Sequence, residues 1–261
     1  GFGLVMSRIC ETFSQIGPSS IMISMLSVIA IIGILAGLLL PVLANAKKKA
    51  RKAKSASNQK QIGAGFTSYL ADNDGWFPVV NGPAGVGGKA GTAIGEKGPL
   101  PPVVAQLYGA TIPESERPLN DHVGSPEVFR DPSDIGGGAY NVDSCWEQFG
   151  NSYQAQVADD MFRVQRVLGE KSEKDGSYEA TSMHESEMTR TDNKIIQGDW
   201  NWPYDKEDTW HGRKGEGRHI MLYGDMHVDE FVFPPTKQML QWIAPPPTAQ
   251  MQPPDPNYTW W

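Results

Sequence analysis

Residues 21–43 read IMISMLSVIAIIGILAGLLLPVL, and this stretch decides the fold. It holds 23 residues without one charged side chain, in a chain of 261 whose mean hydropathy is −0.39. As a helix rising about 1.5 Å per residue it is roughly 34 Å long, enough to cross a hydrocarbon core about 30 Å thick. A cleaved signal peptide has an apolar segment of roughly 7–15 residues and a small-residue cleavage site after it. This run is longer, and no such site intervenes before the basic cluster that begins at Lys47. A retained membrane-spanning helix is therefore expected.

Working outward, Gly33 and Gly37 form a small-xxx-small pair, which lets helices approach closely. Pro41 removes one backbone hydrogen bond and invites a kink or local melting. Residues 45–70 continue with helix formers, and Ile62, Phe66, Tyr69 and Leu70 recur at helical spacing to give one apolar stripe. The helix is expected to stop near Asp72–Asp74, with Gly75 supplying the left-handed position after its end and Pro78 following. The expectation is one helix over residues 21–74, about 50 residues and roughly 75–80 Å. A helix apolar on every side sits in lipid or among other helices. Two arrangements satisfy that surface equally: a bundle of identical helices, or a single anchor holding an extracytoplasmic domain.

The charges separate along the chain. Lys and Arg number 23 against 30 Asp and Glu, a net of −7. Seven of the basic residues lie between Lys47 and Lys60, where there is no acid, so the remainder sets 16 basic against 30 acidic residues, a net of −14. So acidic a body lacks the clustered Lys and Arg that grip phosphate backbones, and no nucleic-acid partner is expected. Cys10 and Cys145 lie on opposite sides of the apolar run, which excludes a disulfide scaffold. Glycine (28) and proline (20) point to a loop-rich body, expected over residues 75–243.

Within the body, residues 81–98 are glycine-rich. Gly-Val-Gly-Gly-Lys-Ala-Gly-Thr (85–92) approaches a phosphate loop, but no Ser or Thr follows Lys89 and Pro83 stands where a glycine is needed. A flexible surface loop is expected there instead. Helices are expected over Val103–Tyr108 and Asp159–Leu168, and a strand over Lys194–Gln197. The runs His219–Tyr223 and His227–Phe233, separated by a short loop containing Gly224, read as a β-hairpin. The fold class is α+β: a long N-terminal helix packed on a small antiparallel sheet with long loops.

His211, Asp225 and His227, with His219 nearby, are the candidate metal ligands, since imidazole and carboxylate suit zinc and its neighbours. No ligand spacing is defined among them, and turn chemistry is the expected role. Asp72-Asn-Asp-Gly75 has part of a calcium loop without the terminal Glu and reads as a helix cap. Nucleophile elbows, Cys–His pairings and zinc-protease helices do not occur, so no catalytic residue, enzyme activity or cofactor is expected. The acids of residues 172–187 read as a solvated face. The tail, residues 244–261, has six prolines in 18 positions and reads as extended polyproline II. Its aromatic end, Tyr258, Trp260 and Trp261, is expected to dock on an adjacent subunit, and Asn257-Tyr-Thr259 fits an N-glycosylation acceptor.

The segment Val28–Arg51 resembles the N-terminal helix of type IV pilins and type II secretion pseudopilins, in the branch of prepilin-type cleavage and methylation proteins. Four body segments resemble that branch in order: Gln59–Gly63 with Tyr69–Pro78, Ser125–Asp134, Asn151–Tyr153, and His211–Val228. The resemblance covers residues 20–233 with gaps. It implies a pilin-like fold and a structural subunit of an extracellular filament, a homo-oligomer of helical symmetry whose precursor sits in the inner membrane. It implies prepilin peptidase and a pilus or secretion assembly machinery as partners. Assembly contacts fall on Ile29, Ile32, Gly33, Leu35, Gly37, Leu40 and Pro41. Where the family has a Gly before the cleaved bond, an aromatic after it and a Glu four residues on, this chain has Ser19, Ser20 and Ser24. Residues 1–20 are accordingly an extension or a divergent leader. The family's cysteine in the Ser125–Asp134 segment is Asp131 here. The six basic residues of Lys47–Lys54 alone would hold the body in the cytoplasm, whereas the resembled family exports it.

Overall fold

The computed structural model describes residues 18–95, 98–137, 142–157, 160, 164–170, 181–200, 202, 209–213, 215–233 and 253–261. Of the expected extension, residues 1–20, the first 17 lie outside them, as do residues 172–180 of the expected acidic face and the first part of the tail, residues 244–252. The chain divides into two units, residues 1–50 and 51–261.

One helix, α1 (Pro18–Asp72), runs from the first unit into the second. In the first unit, every residue from Met25 to Ala50 is exposed. Pro41 lies inside α1 without ending it, so the expected melting does not occur. Its missing N–H forfeits one ladder bond, which the turns on either side outweigh.

In the second unit α1 acquires a buried face: Ser55, Asn58 and Gln59, then Ile62, Phe66 and Leu70. The apolar part of that stripe follows the expected spacing. The helix ends where its residues dictate. Asp74 and Gly75 have φ of 51° and 80°, and the Gly75 N–H donates to the Leu70 carbonyl at 2.9 Å.

The strands are β1 (Val79–Val80), β2 (Ile94–Gly95), β3 (Gly98–Pro99), β4 (Tyr153–Gln154), β5 (Gly169–Glu170), β6 (Ile195–Asp199), β7 (Arg218–Tyr223) and β8 (Val228–Val232). β4, β6, β7 and β8 form an antiparallel sheet in that spatial order, β1 pairs β5 in parallel, and β2 pairs β3. The β7–β8 hairpin is the one expected, with Leu222 opposite Val228. Gly63 lets α1 approach β7, since a Cβ there would sit 3.0 Å from Leu222 Cδ1. Ile62, Phe66 and Leu70 share one core with Leu222, Ile196 and Phe77. The class is α+β, as expected.

Three expectations are corrected. The described part of 159–168 is not helical: Leu168 bridges Val157, and the Val167 and Leu168 N–H groups donate to the Gln156 carbonyl. The apolar Val164, Val167 and Leu168 are buried in extended backbone that leads into β5.

The glycine-rich stretch is not a surface loop, because residues 82–88 are all buried. Its glycines admit backbone where a side chain would collide. A Cβ at Gly87 would lie 2.0 Å from the Phe129 ring, and one at Gly88 would lie 2.0 Å from the Gly150 carbonyl oxygen. The stretch wraps the guanidinium of Arg117, itself 1% exposed. Arg117 donates to the carbonyls of Ala84, Gly87 (2.9 Å), Gly109 (3.3 Å), Ala110 (3.3 Å), Phe149 (3.3 Å) and, through Nε, Ile112 (3.2 Å). A forked, five-donor cation thus organises carbonyls that no strand satisfies.

The aromatic end of the tail is buried in its own chain. Trp260 packs against Phe231 and Phe233 with ring centroids 5.6 and 5.4 Å apart. Trp261 Nε1 donates to Asn193 Oδ1 at 2.7 Å, and its main-chain oxygen accepts from the Ile195 N–H at 3.1 Å. Those indoles are therefore not free to dock on a neighbour.

Arg117→Ala leaves the Ala84, Gly87, Gly109 and Phe149 carbonyls without this donor. It is expected to lower the unfolding free energy by about 3 kcal/mol or more, measured by urea denaturation of the detergent-solubilised chain. Arg117→Lys is expected to recover little of that loss, because an ammonium cannot reach carbonyls on both sides of the fork.

Candidate functional site

The residues expected to carry assembly contacts lie together on the exposed run of α1. Ile29, Ile32, Gly33, Leu35, Gly37, Leu40 and Pro41 are all exposed, Ile29 by 66% and Leu40 by 65%. A Cβ at Gly33 or Gly37 would meet nothing within 4 Å, so the chain itself gives no packing reason for either glycine. An 18-residue window of this helix has mean hydropathy 2.8 with none of it buried. Those are the length and composition needed to cross a membrane.

The candidate metal ligands separate. Asp225 and His227 stay in the exposed hairpin turn, where His227 Nδ1 lies 2.5 Å from Asp225 Oδ1 and the imidazole stacks on Tyr223 at 4.4 Å. That is the turn chemistry expected of them. His211 goes elsewhere: it meets Asp131 and Asp199, and among the described residues these three form the one group of ligand-type side chains whose atoms lie within 4.8 Å of one another.

Each member is placed by local chemistry. Asp131 sits after a short 3-10 turn, Pro126–Phe129, and its Oδ1 accepts the Ser133 N–H at 2.6 Å, which turns Oδ2 toward His211 Nε2 at 3.1 Å. Asp199 closes β6, and its Oδ2 accepts the Ile220 N–H of β7 at 2.9 Å and stands 3.5 Å from His211 Nε2. The side chains of all three are at most 1% exposed. Asp199 Oδ1 is buried with no hydrogen-bond partner. The Tyr153 phenol lies close enough to both carboxylates to be held well above its usual range, by burial first and then by the charge of Asp131.

A polar layer from α1 faces the same region. Gln59 Nε2 donates to the Ile220 carbonyl at 2.7 Å, Asn58 Nδ2 to the Arg130 carbonyl at 2.8 Å, and Ser55 Oγ lies 3.5 Å from Tyr153 Oη. Beside it runs a groove of about 690 Å³ lined by Arg51, Lys54, Asn58, Arg130, Asp131 and Asp134, among others.

Sequence reasoning found His211 and missed Asp131 and Asp199. Asp199 follows Lys-Ile-Ile-Gln-Gly (194–198), and nothing in that order of residues marks it as a buried acid. Nothing in Arg130-Asp-Pro distinguishes Asp131 from an ordinary turn residue. Asn257 is exposed, as a glycosylation acceptor must be. Comparison with known proteins gives no family model, no characterised protein and no solved structure that matches this chain.

Burial pushes the His211 imidazole down, but the charge of Asp199 and hydrogen bonds to Asp131 and Asp199 outweigh it and hold the group up at about 10. Its unfolded value is about 6.5. In chelator-treated protein the His211 proton therefore stabilises the fold fully below about pH 6.5, and that stability is lost as pH rises through about 10. Urea midpoints measured at about pH 6 and about pH 9 are expected to fall with pH more steeply in the native chain than in His211→Gln.

Proposed function

We propose that this protein is a structural subunit that polymerises through its apolar N-terminal helix into an extracellular filament, a type IV pilus-like fibre or a pseudopilus. The observation that carries the reading is the run Met25–Leu43, which holds 13 exposed large apolar side chains, none of them covered by the chain itself. In a bilayer, lipid satisfies that surface; in a filament, the helices of other copies do, and the same residues serve both states in turn. The Gly33–Gly37 pair, unused inside the chain, fits close helix–helix approach. The α+β body, in which a long helix lays one face on an antiparallel sheet, is the architecture a pilin-like subunit requires. Under this reading the precursor is inserted in the inner membrane. A prepilin peptidase and a pilus or secretion machinery act on it before the body reaches the outside.

Electron microscopy of material sheared from cells tests the proposal directly. Filaments that label with antibody to this chain support it. Recovery only in detergent-solubilised membranes would establish the alternative, a non-polymerising anchored binding protein. The double substitution Gly33→Leu, Gly37→Leu is expected to leave the body folded, since both Cβ positions are open. It is expected to reduce sheared filaments by about tenfold, a loss of about 1.4 kcal/mol per contact being enough.

A further inference from the structure

We propose that Asp131, Asp199 and His211 bind a divalent transition-metal ion of the zinc class inside the body. The ligands come from three separated segments: the turn after Pro126–Phe129, the end of β6, and the loop that precedes β7. Tetrahedral zinc with bonds of about 2.0–2.1 Å sets neighbouring donors about 3.3–3.4 Å apart. The spacings from His211 Nε2, 3.1 Å to Asp131 Oδ2 and 3.5 Å to Asp199 Oδ2, fall on either side of that edge. One imidazole and two carboxylates suit zinc, whereas calcium takes six or more oxygens and magnesium keeps several waters.

Charge and hydrogen bonding favour a cation over a proton. A proton on Nε2 can be donated along one direction. Nε2 lies 3.1 Å from Asp131 Oδ2 and 3.5 Å from Asp199 Oδ2, and two carboxylates beside one imidazolium leave the sealed cluster one negative charge, while burial pushes the Asp199 carboxyl up. A divalent ion with neutral imidazole and two carboxylates sums to zero. The second observation is Asp199 Oδ1, an oxygen on a side chain 1% exposed that has no hydrogen-bond partner among the described residues. A buried carboxylate oxygen calls for a partner, and coordination through both oxygens of Asp199 would supply one. With all three side chains sealed from solvent, the ion ties the segments together and does not meet a substrate.

The test uses the full chain in detergent, stripped with chelator, dialysed and titrated with Zn²⁺ by calorimetry, with Co²⁺ absorption as a probe of coordination. One equivalent of Zn²⁺ per chain is expected, with the intense visible bands of four-coordinate Co²⁺ and a higher melting temperature in saturating Zn²⁺. Asp199→Asn, nearly isosteric, is expected to weaken Zn²⁺ by about tenfold or more, and the paired Asp225→Asn, His227→Ala variant is expected to bind as the native chain does. The native chain needs no variant to fail: if it takes up no stoichiometric Zn²⁺, or prefers Ca²⁺, the proposal is wrong. It is equally wrong if the Asp225, His227 variant loses the ion and Asp199→Asn keeps it.

Discussion

A single helix that changes surface along its length is the constraint on which the rest depends. From Met25 to Leu43 its side chains are bare, and from Ser55 to Leu70 one face is buried. Full burial of a large aliphatic side chain is worth about 1.5–3 kcal/mol, so the 13 between Met25 and Leu43, each 53–67% exposed, represent roughly 10–25 kcal/mol of unsatisfied transfer free energy. That is at least comparable with the whole folding stability of a typical domain, about 5–15 kcal/mol. No rearrangement of the body is a comparable resource. A helix with this surface calls for lipid or other apolar helices around it.

The lower half of the helix meets its sheet through polar contacts before apolar ones. Ser55, Asn58 and Gln59 are nearly or wholly buried, and Gln59 reaches both the Ile220 carbonyl and, through Oε1, the Gln197 amide at 3.3 Å. Apolar packing tolerates a small rotation or slide of a helix, whereas buried amides do not, because a lost partner costs about 1–3 kcal/mol. Ile62, Phe66 and Leu70 supply adhesion and the three polar residues fix register.

What could be read from the sequence follows from range. The helix end at Asp72–Gly75, the β7–β8 hairpin and the strand expected over Lys194–Gln197, found at Ile195–Asp199, are written in residues a few positions apart, and periodicity or turn chemistry reveals them. The glycine-rich stretch misled because glycine signals flexibility only when nothing fills the space it opens. Here Phe129 and the Arg117 guanidinium fill it, from 42 and 30 positions beyond Gly87 in the chain. The tail misled for the converse reason. Its indoles need cover, and composition cannot say that Phe231, Phe233 and Asn193 of the same chain provide it. Asp131 and Asp199 form a site with His211 only through tertiary contact, across 80 positions in the widest case.

These long-range contacts have a common purpose in a body of this composition. Its strands have two to six residues, and short strands hold little on their own. Loop-rich domains commonly gain rigidity from disulfides, but only Cys10 and Cys145 are present, and Cys10 precedes the apolar run. Buried polar hubs take that place. Arg117 gathers carbonyls from the segments around Ala84, Gly109 and Phe149, and the Asp131–Asp199–His211 cluster joins a turn, the end of a strand and a loop. Each hub is costly when incomplete, since its unsatisfied groups are sealed from water. A cluster of two carboxylates and one imidazole is costly in such a place unless its charge is neutralised, so that neutralisation bears on how firmly the three segments are held.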